Sequence, residues 1–146
     1  MASPAAWLND GSRLDGVRVL VVDDARNVRE VVADILTQYG ATVSAVGSAE
    51  EALAALQRER PDVLLSDLAM PGRGGYWLIG QVRALPPERG GITPAAALTA
   101  FTGPEHRARV LRAGFQLHVE KPTSLDALVG AVARLALKER AVALRS

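Results

Sequence analysis

Five side chains that could do chemistry each stand at the end of a short apolar run in this 146-residue sequence. They are Asp23 and Asp24 after VRVLVV, Asp67 after DVLLS, Thr99 after AAAL, and Lys121 after LHVE. If these runs are strands of one parallel sheet, their carboxyl ends share one edge, where ligands of such sheets bind. Three carboxylates gathered there would raise one another's pKa unless a cation lay among them. The pattern therefore predicts a cation site beside a hydroxyl and an ammonium group.

The ligand set favours Mg²⁺, which prefers oxygen donors and often bridges a few carboxylates to a phosphate. Lys121 offers a point positive charge and Thr99 a hydroxyl, and both groups suit phosphoryl oxygens. Asp67 is the candidate nucleophile, because a carboxylate can accept a phosphoryl group to give an aspartyl phosphate. These residues therefore indicate phosphoryl chemistry.

Strands must position these residues, and the sequence contains five runs that can form them. The predicted strands are Val17–Val22, Ala41–Val46, Asp62–Ser66, Ala95–Leu98 and Leu117–Glu120. The first run is rich in valine, a β-branched residue, which is typical of a strand covered on both faces. The fourth is rich in alanine, a poor strand former, so its assignment depends on its neighbours.

A helix is expected after each strand, because apolar residues recur there at intervals of three and four. The first helix should end at Gly40, and Ser48 with Glu51 forms a capping box that opens the second. The fourth helix is expected to bury Val110 and Leu111. Five strands alternating with five helices predict an α/β fold, a parallel sheet with helices on both faces.

Composition narrows the class of protein. The length fits one domain, so we expect the output of the chain to come from a partner. A formal net charge of +1 argues against direct nucleic-acid binding, and the lack of cysteine excludes a disulfide scaffold. No apolar run is long enough to cross a membrane, and the first residues lack the pattern of a signal peptide. We therefore expect a cytoplasmic domain.

Four segments in order resemble one family. VLVVDD, LLSDLAMPG, ALTAF and HVEKP together are similar to the receiver domain of two-component response regulators, and the resemblance covers Val17 to Leu137. It implies a doubly wound, flavodoxin-like (βα)5 fold with strand order 2-1-3-4-5. We expect residues 1–15 to be a flexible lead-in, residues 16–138 the receiver domain, and residues 139–146 a helix extension or tail.

The resemblance assigns roles at the acidic end of the site. It makes Asp67 the phosphorylated residue, with Asp23 and Asp24 holding Mg²⁺ directly or through water. The backbone carbonyl of Ala69 would be a further metal ligand.

The resemblance also implies catalytic and switch roles. Lys121 would pair with the phosphoryl group, and the Lys121–Pro122 peptide would be cis. Thr99 would move toward the phosphoryl group on phosphorylation. His118 would stand at the position, usually Tyr or Phe, whose side chain moves into the space that Thr99 leaves. Receivers attached to hybrid histidine kinases are similar in having histidine there. Two further departures are Ala25, where an acidic residue often follows the aspartate pair, and Gly74, where Asp is common.

The function implied is a signalling phosphoacceptor, not an enzyme that turns over an external substrate. Its phosphoryl group would come from a histidine kinase or a histidine phosphotransfer protein. A homodimer through the face of the fourth helix, fifth strand and fifth helix is compatible with the family. The chain fits either a stand-alone regulator or a receiver domain of a hybrid kinase.

Three other readings stay open at this point. Taken singly, Asp23 and Asp24 suit a helix N-terminus and Thr99 suits a loop cap. A phosphatase of the haloacid-dehalogenase type also uses an aspartate nucleophile, Mg²⁺, threonine and lysine, but it requires D-x-D where this chain has Asp23-Asp24-Ala25. The third reading is a receiver-like scaffold that is not phosphorylated.

Overall fold

The computed structural model describes residues 14–121 and 123–145, with side chains up to residue 137. Its strands are β1 (Arg18–Val22), β2 (Thr42–Val46), β3 (Val63–Asp67), β4 (Ala95–Thr99) and β5 (Leu117–Glu120). Its helices are α1 (Arg26–Gln38), α2 (Ala49–Glu59), α3 (Gly75–Arg83), α4 (Pro104–Ala113) and α5 (Leu125–Arg145), with a 3-10 turn at Pro87–Arg89. The predicted elements are all present, shifted by a residue or two at their ends.

The five strands form one parallel sheet in the order β2-β1-β3-β4-β5, which confirms the predicted topology. Every residue of β3 and β4 is buried, whereas the edge strands β2 and β5 are partly exposed. The alanines of β4 form a strand because their register beside β3 and β5 buries them on both faces, so tertiary packing outweighs their weak propensity.

Two hydrophobic cores flank the sheet. One holds residues of α1 and α5, including Val32, Leu36 and Leu128, and the other holds residues of α2, α3 and α4, including Leu56 and Ile79. Helices therefore cover both faces, as a parallel sheet requires. None of the helices in the described part of the chain is long and apolar enough to cross a membrane.

The packed structure begins earlier than predicted. Leu14, assigned to the flexible lead-in, has a fully buried side chain in the core of α1 and α5, and its N–H donates to Tyr39 O at 3.0 Å. A single apolar residue without periodic neighbours carries no local signal, which is why the pattern missed it. Trp7 and Leu8, the large apolar residues of that lead-in, lie outside the described residues.

A residue that was expected to be buried in the fourth helix is exposed. Val110 is completely buried, but Leu111 retains 41% of its surface in solvent. The short helix α4 presents only one narrow face to the core, and adjacent helical positions point about 100° apart. At the other end of the chain, α5 continues to Arg145.

The capping box was predicted correctly in part. Ser48 Oγ accepts the N–H of Glu51 at 3.2 Å, and the Glu51 carboxylate accepts the N–H of Gly47, one residue before the N-cap. A second local contact ties β2 to α2, because the Ser44 hydroxyl donates to the Glu59 carboxylate.

This contact gives a stability prediction. The Ser44 hydroxyl, followed by Arg58 and Arg18, holds the pKa of Glu59 below its usual value against the opposing effect of burial. The contribution of the ionised Glu59 carboxylate to folding stability is therefore present above the ordinary glutamate pKa, and it is lost as pH falls through the lowered pKa. Ser44→Ala should lower the free energy of unfolding by about 1 kcal/mol at neutral pH and by less in acid. Urea titrations across pH measure this, and a Ser44→Ala effect that kept its pH dependence in Glu59→Gln would contradict it.

Candidate functional site

Parallel strands bring the predicted site residues to one edge of the sheet. Asp23 follows β1 directly, Asp67 and Thr99 are the last residues of β3 and β4, and Lys121 follows β5. The N–H of Lys121 donates to Thr99 O at 2.8 Å, which continues the sheet ladder by one bond beyond β5. The strand ends thus hold these side chains in fixed register, as the sequence indicated.

An acidic cluster lies at the centre of this edge. Oxygen atoms of Asp23, Asp24 and Asp67 all lie within 4.8 Å of one another. Asp23 and Asp67 are buried, with 1% and 7% of their surface exposed, whereas Asp24 faces solvent. A donor set made only of carboxylate oxygens, open on one side, fits a hard divalent cation that retains water ligands.

Lys121 bridges the two buried carboxylates. Its Nζ lies 2.9 Å from Asp23 Oδ2 and 3.4 Å from Asp67 Oδ1. Burial lowers the pKa of this ammonium group, but the hydrogen bond to Asp23 and the charges of Asp67 and Asp23 outweigh burial, so its pKa is raised. Lys121 is therefore held in the charged form.

Asp67 keeps a raised pKa in spite of this cation. Burial is the main cause, the charge of Asp23 adds to it, and Lys121 opposes both. The N–H of Ala69 also donates to Asp67 Oδ1, at a long 3.4 Å. The Asp67 carboxylate is thus poorly solvated and close to a fixed positive charge. Such an environment suits a nucleophile, because the positive charge offsets the negative charge that builds up during group transfer.

The aspartate pair is not used as a helix cap. Ala25 is the N-cap of α1, and Asp23 Oδ1 accepts the N–H of Ala25 at 2.9 Å, which orients the carboxylate into the cluster. Arg29 reinforces this turn, since its guanidinium donates to Asp23 O at 2.9 Å.

The loop after β3 folds back tightly over Asp67. A Cβ at Gly75 would lie 2.5 Å from Asp67 O, and a Cβ at Gly74 would lie 2.5 Å from Leu68 O. Any larger residue at either position would therefore force the backbone to shift. In this backbone the close return of the loop leaves no room for a side chain at Gly74, a feature that the motif could not reveal.

Thr99 is buried and bonded on the side of α4. Its Oγ1 accepts the N–H of Phe101 at 3.1 Å, so the loop-capping role is real, and it lies 3.3 Å from His106 Nε2. His118 is half-buried on β5, with Nε2 3.2 Å from Phe101 O. The rings of His106 and His118 meet edge to face, with centroids 5.4 Å apart.

His106 is the site residue that the sequence interpretation missed. It lies seven positions after Thr99 in the first turn of α4, within a polar segment that has no motif of its own. Its contact with Thr99 arises only because α4 starts beside the end of β4. Pro122 lies outside the described residues, and with it the predicted cis peptide.

The chain thus has an α/β fold with a five-stranded parallel sheet, and one edge of this sheet holds an acidic cluster with a lysine. The family model of the response regulator receiver domain matches residues 19–133. The chain therefore belongs to the receiver domain family of two-component response regulators, whose members are signalling phosphoacceptors.

Individual relatives agree with this assignment. The chain is 45% identical over 104 residues to an uncharacterized 14.6 kDa protein of Leptolyngbya boryana, covering 71% of this chain and 78% of that protein. It is 37% identical over 120 residues to response regulator protein FleR of Pseudomonas aeruginosa, covering 82% of this chain but only 24% of FleR. The solved structure of the chemotaxis response regulator CheY4 of Vibrio cholerae superposes with a TM-score of 0.75 at 31% identity, covering 82% of this chain and 98% of that one.

Proposed function

We propose that this chain accepts a phosphoryl group on Asp67 from the phosphohistidine of a histidine kinase or a histidine phosphotransfer protein. The observation that carries the proposal is the bridge made by Lys121, whose ammonium group contacts both Asp23 and Asp67 inside the acidic cluster. A lysine so placed neutralises negative charge where a phosphoryl group on Asp67 would arrive.

The reaction is a transfer between two protein side chains. A carboxylate oxygen of Asp67 attacks phosphorus, an O–P bond forms, and the P–N bond to the donor imidazole breaks with its electron pair left on nitrogen. Lys121 pairs with a phosphoryl oxygen, and the hydroxyl of Thr99 turns to hydrogen bond with another. Hydrolysis of the acyl phosphate later restores the Asp67 carboxylate and releases inorganic phosphate.

Mg²⁺ is the proposed cofactor. Asp23, Asp24 and Asp67 would hold it, with the backbone carbonyl of Ala69 as a further ligand. When bound, the ion offsets the combined charge of the carboxylates and the phosphoryl group. The three clustered carboxylates support this, because they repel one another without a cation.

The cluster gives a prediction for metal binding. Mg²⁺ at ten times its dissociation constant should stabilise the wild type by about 1.4 kcal/mol. Asp24→Asn should reduce this gain, because it removes one charged ligand on the open side of the cluster. Asp34→Asn is the matched control, since Asp34 is an exposed carboxylate on α1. Thermal unfolding with and without Mg²⁺ measures the effect, and equal gains in both variants would contradict the assignment.

We propose that phosphorylation changes the conformation of the chain in two steps. Thr99 moves toward the phosphoryl group, and His118 then follows, which alters the face formed by α4, β5 and α5. His118 lines a groove of about 960 Å³ on this face, together with Arg107 of α4 and Arg134 of α5. A change at His118 would therefore alter the groove directly, and a second copy of the chain binding across it would give the homodimer. The proposed roles of Asp67, Thr99 and His118 are the same whether the chain is a stand-alone regulator or a receiver domain of a hybrid kinase.

The decisive experiment is phosphoryl labelling. The wild type incubated with acetyl phosphate should gain one phosphoryl group by intact-protein mass in the presence of Mg²⁺, and little without it. The adduct should be labile in base, as an acyl phosphate is. No adduct with acetyl phosphate or with a phosphorylated histidine kinase would overturn the proposal.

A further inference from the structure

His106 occupies a position that controls the freedom of the Thr99 hydroxyl. Thr99 is 2% exposed, and its Oγ1 has two partners, the N–H of Phe101 and Nε2 of His106. Both partners belong to the segment that follows β4. The hydroxyl is therefore engaged on the α4 side of the strand end.

The ring of His106 is held in place by two other rings. It stacks at a tilt against Phe101, with centroids 5.5 Å apart, and edge to face against His118 at 5.4 Å. His118 in turn is 3.2 Å from Phe101 O. Thr99, Phe101, His106 and His118 thus form a closed set of contacts in which His106 touches all three other members.

A hydroxyl has one proton to donate and a limited number of acceptor positions. The restraint uses the tautomer of the imidazole in which Nε2 of His106 accepts the hydroxyl proton of Thr99. In that arrangement the single proton is already donated on the α4 side. To donate it to a phosphoryl oxygen on Asp67, Thr99 must break the bond to His106, so the two acceptors compete for one proton.

We propose that His106 is a positioning residue that restrains Thr99 in the unphosphorylated chain and so opposes the switch. This inference rests on the proposed function, since it concerns the hydroxyl that would meet the phosphoryl group. His106 acts through Thr99 and does not touch the reacting atoms.

Two substitutions separate the hydrogen bond from the ring contacts. His106→Phe keeps a ring against Phe101 and His118 but removes the bond to Thr99. His106→Gln keeps a polar atom near the position of Nε2 but removes the ring. Losing one net hydrogen bond, ~1 kcal/mol, should make acetyl phosphate label His106→Phe about fivefold faster than wild type in Mg²⁺. His106→Gln should label at the wild-type rate.

A double-mutant cycle shows whether the effect passes through the hydroxyl. In the Thr99→Val background, which has the same shape without the hydroxyl, His106→Phe should no longer change the labelling rate. The ¹³C shift of the Thr99 methyl group in the unlabelled protein gives an independent readout. It should move in His106→Phe and stay near its wild-type value in His106→Gln.

The outcomes distinguish the two levels of the proposal. If the wild type is labelled and His106→Phe is labelled at the same rate, the role of His106 is overturned and the proposed function stays intact. The same conclusion follows if His106→Phe still accelerates labelling in the Thr99→Val background. Absence of labelling in the wild type overturns both. An acceleration in His106→Phe that disappears in Thr99→Val supports the restraint.

Discussion

Asp67→Asn should abolish phosphoryl incorporation, with a loss of at least about 100-fold in labelling rate, because an amide replaces the only proposed nucleophile. The asparagine has nearly the same shape, so the packing around the end of β3 should be retained. Intact-protein mass after incubation with acetyl phosphate and Mg²⁺ measures the loss. Asp34→Asn makes the same chemical change at an exposed position of α1 and should label normally.

The same variant should fold at least as stably as the wild type in the absence of metal. Burial, with the charge of Asp23, raises the pKa of Asp67, so the folded state binds this proton more tightly than the unfolded state. The wild type therefore loses stability as pH rises above the ordinary aspartate pKa, and the asparagine variant lacks this loss. A variant that failed to label because it was unfolded would show a lowered melting temperature instead. Undiminished labelling of a folded Asp67→Asn would place the phosphoryl group elsewhere.

Lys121→Met should slow labelling by about 100-fold, the usual cost of removing one charged donor from a developing negative charge. Methionine has a similar length and no charge, so the carboxylates of Asp23 and Asp67 would face each other without the ammonium group that lies 2.9 and 3.4 Å from them. The pKa of Asp67 should rise further, because its principal favourable charge is lost.

Two comparisons make this second prediction specific. Arg112→Met removes an exposed cation of α4 outside the acidic cluster and should label normally. Lys121→Arg keeps the charge but spreads it over a planar group, so an intermediate rate is expected. Labelling rates over a Mg²⁺ titration measure all three variants. A wild-type rate in Lys121→Met would show that the ammonium group is not part of the transfer.

The strand ends of this chain could be located from the sequence because their signals are local. An apolar β-branched run such as Val17–Val22 indicates a buried strand, and a polar residue at its carboxyl end marks the edge of the sheet. The alternation of such runs with helices leaves few topologies for a parallel sheet. The order β2-β1-β3-β4-β5 was expected from the family resemblance, and it places the end of β3, with Asp67, between β1 and β4.

The difference between the two adjacent aspartates is not a local property. Asp23 is buried and bonded to Lys121, whereas Asp24 is exposed. The lysine lies 98 positions away in the sequence, so no window of neighbouring residues contains both partners. One signal was present in the composition, since Lys121 and Lys138 are the only lysines among 17 basic residues.

The class of fold, the edge that carries the chemistry and the residue types available there could be predicted from the sequence, because they follow from periodicity and from the ends of strands. Which side chains contact one another depends on the packing of the whole chain. That packing buried Leu14, exposed Leu111, placed the loop of Gly74 over Asp67, and brought His106 to Thr99. The physical reason is that periodicity records which face of an element avoids water, whereas a contact between elements depends on how the whole chain packs.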